Sequence, residues 1–116
     1  MKVALTTGFD RPIVDGLLEV LGWGEDVLDA VVCVDDVPAG RPAPYMIYRA
    51  MELTGTRDVR RVLTAGDTVR DLEAGTNSGA GFVVGVLSGG QTEDELKLHP
   101  HTHLLGSVAE IPALVS

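Results

Sequence analysis

The first residues in the sequence that could take part in chemistry are a threonine and the glycine that follows it. Thr7 is followed by Gly8 and then by a segment that predicts a helix. The hydroxyl and the N–H groups at such a helix start can donate together to one phosphate oxygen. The alternative is that Thr7 caps the helix or its turn.

A stiff loop carries the second candidate, Arg41. It lies in the sequence Gly-Arg-Pro-Ala-Pro, residues 40–44. The two prolines disfavour helix for the residues before them, so Arg41 is presented from a preset backbone. A guanidinium held in this way can bind a phosphate through paired hydrogen bonds and offset its charge. The alternative is a solvated loop arginine.

Two carboxylates form the third group. Asp67 follows an apolar run and Gly66, and Asp71 lies four residues later, in the first turn of a predicted helix. Both carboxylates could face one site, and hard oxygen ligands of this kind suit Mg²⁺. The alternative is that Asp67 is the helix N-cap and Asp71 complements the helix dipole.

Alternating apolar runs and amphipathic segments predict the elements that position these residues. Strands are predicted at residues 3–5, 30–34, 61–65, 82–87 and 103–105. Helices are predicted at residues 12–21, 46–53, 69–75 and 93–98, with a terminal helix or turn at 108–114. This alternation is typical of an α/β fold, a Rossmann-like parallel sheet with helices on both faces. Ligands bind at the carboxyl ends of such strands, where all three groups lie.

Composition and charge limit the kind of core that the chain can form and the kinds of molecule that it can bind. With 116 residues the chain is one domain by length, and its 45% hydrophobic and 4% aromatic content predicts an aliphatic core. A net charge of −8 argues against nucleic acid as a partner. No apolar run reaches membrane-spanning length. The single cysteine, Cys33, cannot form an internal disulfide, which fits a cytoplasmic protein, and we expect it in the core.

The order and spacing of the three groups resemble motifs of a known family. The stretches are ALTTGF at 4–9, VVCVDDVPAGRPAPYMI at 31–47 and AGDTVRDLEAG at 65–75. Together they resemble the second, third and fourth motifs of the haloacid dehalogenase superfamily, most closely its phosphonatase-like branch. The resemblance extends over essentially the whole chain. It implies that residues 1–116 are the C-terminal part of a hydrolase core domain of this family.

The resemblance also implies a role for each candidate residue. Thr7 would bind phosphate through its hydroxyl, with the Gly8 N–H beside it, and Arg41 would neutralise the phosphoryl group. Asp67 would bind Mg²⁺ directly, and Asp71 directly or through water. The implied activity is Mg²⁺-dependent hydrolysis of a small phosphorylated or phosphonate metabolite. Tyr45 is a departure, because related sequences usually carry an acidic residue there, and we interpret it as a capping or packing change.

The family's first motif has no match in this sequence. That motif is a strand followed by DxDGT, whose leading aspartate attacks phosphorus. Asp35 and Asp36 follow a strand but lack the Gly-Thr that completes the motif. The resemblance therefore implies that this chain alone is inactive. It also implies that the sheet lacks its central strand. The flanking strands could then pair directly, a second copy could supply a strand, or the missing segment could be a separate chain; of these we favour a homodimer through the exposed strand edges.

A non-catalytic reading competes with the hydrolase. A short α/β chain could be a flavodoxin-like or receiver-like binding module in which Thr7 and Asp67 serve only as caps. A receiver domain needs an acidic pair after its first strand and a lysine after its last, and neither is present. The alternating His99, His101 and His103 would face one side of a strand and could bind a metal, an interpretation that we do not favour because related sequences have a similar run before the last strand. Residues 88–90, Ser-Gly-Gly, end a predicted strand near the inferred site.

Overall fold

The computed structural model describes residues 2–22, 28–87, 92–98 and 100–106. These residues form two compact units, Met1–Arg57 and Asp58–Ser116, and each is described by itself. The predicted terminal helix or turn at 108–114, residues 88–90 and His99 lie outside the described residues.

The first unit contains a pair of parallel strands, and the strands' carboxyl ends lie side by side. Strand β1 pairs with β2 in a register that sets Thr7 opposite Cys33. Helix α2 packs against both strands. In chain order the elements are β1 (Ala4–Thr7), α1 (Arg11–Leu21), β2 (Ala30–Cys33), a 3-10 turn (Val34–Asp36) and α2 (Tyr45–Thr54).

Local capping explains where the helices of the first unit begin and end. The Asp10 carboxylate accepts a hydrogen bond from the Ile13 N–H at 3.3 Å, and Pro12 lies in the first turn, where its missing N–H costs nothing. Helix α1 ends at Gly22 and α2 at Gly55, at φ of 70° and 71°. Glycine suits both ends because a Cβ disfavours this left-handed conformation.

Three parallel strands make up the sheet of the second unit, in the order β3-β4-β5. Helix α3 packs against β3 and β4. Leu72, Val83 and Leu96 are the buried side chains of a core that joins α3, β4 and α4. The elements are β3 (Leu63–Gly66), α3 (Val69–Ser78), β4 (Phe82–Val86), α4 (Glu93–Lys97) and β5 (His103–Leu105).

The predicted α/β class, with parallel strands joined by helices, is confirmed. Several strand boundaries differ by one or two residues: β1 is residues 4–7 rather than 3–5, and β2 and β4 each end one residue earlier than predicted. Strand β3 begins at Leu63 rather than at residue 61, because Val59–Arg61 form a 3-10 turn whose N–H group at Arg60 is capped by Asp58 at 3.0 Å. Within the described residues, none of the helices has both the length and the apolar character that a membrane crossing needs.

Two elements of the first unit are more exposed than the sequence predicted. Strand β1 was predicted to be buried, yet its residues alternate between exposed and partly exposed, since β2 is its one partner strand in the described part of the chain. The apolar stripe of α1 is also uncovered: Ile13, Leu17 and Leu21 are 51%, 46% and 55% exposed. Of the apolar residues of α1, Val14 is the fully buried one.

Candidate phosphate and magnesium site

Thr7 lies at the carboxyl end of β1, where the chain turns toward α1. Its Oγ1 accepts a hydrogen bond from the Phe9 N–H at 3.1 Å. Thr7 therefore caps the turn, as the alternative interpretation allowed, and the cap of helix α1 is Asp10. A hydroxyl oxygen that accepts one bond can still donate its own hydrogen to a phosphate oxygen.

Arg41 is brought to this turn by the loop that precedes α2. The Ala43 N–H donates to the Gly40 carbonyl at 3.0 Å, which closes a turn across Arg41 and its cis bond to Pro42. A Cβ placed on Gly8 would lie 3.0 Å from Arg41 Nη2. The guanidinium thus lies against the backbone at Gly8, and Arg41 is partly buried rather than a fully solvated loop arginine.

The two carboxylates lie at the start of α3. Thr68, not Asp67, is the N-cap of this helix, so the capping interpretation of Asp67 is wrong. Asp71 does take part in capping: its Oδ2 accepts from the Thr68 N–H at 3.1 Å and from the Thr68 hydroxyl at 2.9 Å. This reciprocal arrangement is a capping box. It fixes the Asp71 side chain and leaves Asp67, which follows β3 directly, without a capping role.

Gly66 permits the close approach of Asp71 to the end of β3. A Cβ at position 66 would lie 2.2 Å from the Cβ of Asp71 and 2.4 Å from its Oδ2. A side chain at this position cannot coexist with Asp71 where it stands. The Asp71 carboxylate therefore lies beside the strand end that Asp67 follows.

This pair of carboxylates suits Mg²⁺ better than a metal that needs a full set of protein ligands. No group of three or more His, Cys, Asp and Glu side chains that could hold a metal occurs among the described residues. Mg²⁺ is usually held by one or two carboxylates, with water and phosphate oxygens completing its coordination. The donor set at Asp67 and Asp71 fits that chemistry.

The candidate residues fall into two halves. The phosphate half, consisting of Thr7, Gly8 and Arg41, belongs to the first unit, and the carboxylate half, Asp67 and Asp71, belongs to the second. Within the phosphate half, the structure brings Gly8 and Arg41 together. The meeting of the two halves at one edge of a sheet stays a prediction.

Sequence reasoning missed a polar network beside the phosphate half. The Arg11 guanidinium donates to the Asp36 carboxylate and, at 3.1 Å, to the Val31 carbonyl. The Arg11 N–H donates to Asp35 Oδ2 at 3.3 Å, and Asp36 also accepts from the Cys33 N–H at 2.8 Å. The two adjacent aspartates after a predicted strand were a visible signal, but nothing local in the sequence pointed to Arg11 as their partner.

The network perturbs the ionisation of its members. The hydrogen bond from the Cys33 N–H, followed by that from Arg11, lowers the pKa of Asp36 below its ordinary range. Burial raises the pKa of the Cys33 thiol, against the opposing effect of the Arg11 charge. Cys33 is therefore a neutral thiol in the core, as the sequence predicted.

Two further residues that the sequence singled out can be placed in the structure. Tyr45 is the first residue of α2, with its side chain 45% exposed. Pro44 is the N-cap and makes no side-chain capping bond. His103 lies in β5, where its ring centroid is 5.9 Å from that of Phe82 and its Nδ1 is 3.0 Å from the Thr102 hydroxyl.

Gly66→Ala tests the close approach at the carboxylate half. We expect a loss of about 1–3 kcal/mol in the free energy of unfolding, because the new methyl group displaces Asp71 or the start of α3. The matched control is Gly16→Ala, since a Cβ there meets nothing within 4 Å and removes a glycine from a helix interior. Urea denaturation of both variants measures the difference. Equal stabilities would contradict the described packing.

Asp36→Asn tests the electrostatics of the network. Because the folded-state pKa of Asp36 is depressed, its charged form stabilises the folded chain above the unfolded-state pKa. That contribution is lost as the pH falls below the ordinary aspartate pKa and through the lower folded-state pKa. We expect thermal melts to show the wild type as the more stable protein at neutral pH, with the difference shrinking on acidification. The exposed Glu19→Gln is the control, and a pH-independent difference for Asp36→Asn would argue against the network.

Comparison with known proteins agrees with the predicted resemblance. A family model described as a haloacid dehalogenase-like hydrolase matches residues 1–79. The phosphonoacetaldehyde hydrolase of Bacillus cereus is 39% identical over 102 residues, which cover 84% of this chain and 38% of that enzyme. The chain thus spans well under half the length of the curated relatives it matches.

Solved structures share the fold. A putative beta-phosphoglucomutase from Thermotoga maritima aligns with a TM-score of 0.83 at 23% identity, over 99% of this chain and 52% of that one. A phosphonoacetaldehyde hydrolase-like protein from Oleispira antarctica aligns with a TM-score of 0.83 at 20% identity, over 99% of this chain and 50% of that one. The family model matches more than half of the residues, and the chain therefore belongs to the haloacid dehalogenase-like hydrolase family.

Proposed function

We propose that this chain is the part of a Mg²⁺-dependent phosphohydrolase that binds the phosphate and the metal ion. Its substrate would be a small phosphorylated or phosphonate metabolite, as the similarity to phosphonoacetaldehyde hydrolases suggests. The observation that carries the proposal is the approach of Arg41 Nη2 to the backbone at Gly8, next to the Thr7 hydroxyl.

The phosphate half supplies three kinds of donor to one anion. Thr7 would donate its hydroxyl hydrogen, Gly8 its N–H, and Arg41 its guanidinium N–H groups. A chain with a net charge of −8 repels anions unless a local cation offsets its field, and Arg41 provides that cation. Hydrogen bonds that involve a charged group contribute about 1.5–3 kcal/mol each, enough to outweigh a general repulsion.

The carboxylate half would hold Mg²⁺ through Asp67 and Asp71, and the charge of the ion would offset that of the phosphate oxygens. Capping does not prevent Asp71 from acting as a ligand. A carboxylate has two oxygens and about four lone-pair sites, so it can accept from Thr68 and also bind a cation. The Thr68 bonds would hold the carboxylate in a fixed orientation for that purpose.

The sequence of 116 residues offers no candidate for the nucleophile. Covalent catalysis needs an attacking group, and the sequence contains no DxDGT motif. Asp36 lacks the Gly-Thr that completes that motif, and its Oδ2 is engaged by Arg11 and by the Cys33 N–H. We therefore propose that the chain alone binds phosphate without hydrolysing its esters.

The hydrolase is favoured over a flavodoxin-like or receiver-like module by two observations. The family model is that of a hydrolase, and the cap of α3 is Thr68 rather than Asp67. A cytoplasmic location is part of the proposal, supported by a single cysteine that is buried as a thiol.

Phosphate binding provides the first test. Calorimetric titration of the chain with inorganic phosphate in the presence of Mg²⁺ should give an affinity that falls about tenfold or more in Arg41→Gln. Asp67→Asn should abolish the Mg²⁺ dependence of binding while keeping the Mg²⁺-free affinity. The exposed Arg57→Gln is the control, because it makes the same change in charge within the first unit. Equal losses in Arg41→Gln and Arg57→Gln would contradict the proposed site.

In the same preparation, p-nitrophenyl phosphate should be hydrolysed no faster than in Mg²⁺-containing buffer. Turnover that survives purification and disappears in Asp67→Ala would show that the chain holds a nucleophile of its own.

We also propose that the chain forms a homodimer through the outer edge of β1 and the exposed stripe of α1. Exposed strand edges and apolar stripes favour association. Size-exclusion chromatography with light scattering should show a dimer at micromolar concentration, which Leu17→Glu converts to monomer. Leu53→Glu is the control, because Leu53 is exposed to the same degree, 47% against 46%, on a different helix. A monomeric wild type would contradict the proposal.

A further inference from the structure

Arg11 ties the start of α1 to the end of β2. It is the first residue of the helix that follows the Thr7–Gly8 turn. Its guanidinium bonds the Asp36 carboxylate and the Val31 carbonyl, and its backbone N–H bonds Asp35. The chain just beyond the turn is thereby joined to β2 and to the 3-10 turn after it.

Further contacts run from that 3-10 turn to the loop that carries Arg41. The Val34 N–H donates to the Phe9 carbonyl at 3.3 Å, which joins the first residue of the 3-10 turn to the segment after Gly8. On its other side, Val34 supports the loop, because a Cβ on Gly40 would lie 3.2 Å from Val34 Cγ2. The 3-10 turn is therefore packed between the two segments that form the phosphate half.

The approach of Arg41 to Gly8 closes a ring of contacts. Gly8 is followed in the chain by Phe9, whose carbonyl accepts from the Val34 N–H. The Val34 side chain packs against Gly40, and the next residue, Arg41, contacts the backbone at Gly8. The 3-10 turn in this ring is held by its own carboxylates: Asp36 binds the Arg11 side chain and Asp35 binds the Arg11 N–H. Loss of the Arg11–Asp36 pair would release the 3-10 turn and with it the spacing between Gly8 and Arg41.

The pair is more than a surface salt bridge, a type of contact that contributes little. The Arg11 and Asp36 side chains are 37% and 30% exposed, and each has a second hydrogen bond to the backbone of β2. These backbone bonds fix the orientation of both side chains. The pair is therefore a defined link between two segments, not two mobile charges.

We propose that Arg11 and Asp36 are positioning residues for the phosphate half: their ion pair sets the distance between the Thr7–Gly8 turn and Arg41. The inference rests on the proposed function, since it assumes that the phosphate half binds phosphate. In this role Arg11 does not touch the phosphate, because its guanidinium is engaged by Asp36 and Val31.

Titration with inorganic phosphate, followed by ¹⁵N–¹H NMR, tests the role in the full chain. Asp36→Asn and Arg11→Lys should each weaken phosphate binding by about tenfold, and the double variant should be little weaker than either single one, because both break the same link. The Gly8 amide resonance should shift in both variants before phosphate is added. Unchanged resonances from the C-terminal half of α2, which packs against β1 and β2, would show that the first unit of each variant is folded.

The control is Arg60→Lys, which alters an arginine with comparable bonds to Asp58, 3.0 and 3.1 Å, in the other unit. It should leave phosphate affinity unchanged. Tighter binding in Asp36→Asn would overturn the proposal, because it would mean that Arg11, once released, binds phosphate directly. Wild-type affinity in both variants would overturn it as well, with the proposed function intact. A wild type whose phosphate binding does not depend on Arg41 would overturn both.

Discussion

Both halves of the candidate site depend on the same interaction: a charged side chain approaches closely to a glycine at the end of a strand. At Gly8 the absent Cβ leaves room for the Arg41 guanidinium, and at Gly66 it leaves room for the Asp71 carboxylate. In each case the charged group lies against the main chain just where a parallel strand ends. A Cβ on Gly66 would overlap Asp71, so the placement of that carboxylate requires glycine, whereas a Cβ on Gly8 would displace the end of the Arg41 side chain by only a few tenths of an ångström.

Around these two contacts, several polar groups are engaged in holding the fold. Asp10 caps α1 and Thr68 caps α3. Arg11 donates to Asp36, and Asp36 also accepts from the Cys33 N–H at the end of β2. The side chains beside the strand ends, such as Thr7, therefore do not have to hold the helices in place. In the phosphate half the helix cap is therefore separate from the candidate ligands, whereas in the carboxylate half Asp71 both caps α3 and is a candidate ligand.

Much of the fold was predictable because it depends on local signals. Glycines at 22 and 55 mark the ends of α1 and α2, and the strand positions follow from short apolar runs. Exposure was not predictable for Leu17 or β1, because periodicity identifies the apolar face of an element and not whether another element covers it. The Arg11–Asp36 pair joins residues 25 apart in the chain, a separation over which sequence pattern carries no distance information.

The two halves differ in the sequence separation of the residues that must come into contact. The carboxylate half is assembled from a strand end, a capping box and the first turn of one helix, with Thr68 and Asp71 only three residues apart. The phosphate half needs β1 and β2 to pair and then a loop to return to Gly8. Loop closure costs more entropy, and contacts form more slowly, as sequence separation grows. The corner that holds Asp71 can therefore form early in folding, whereas the contact of Arg41 with Gly8 must wait until the first unit has closed.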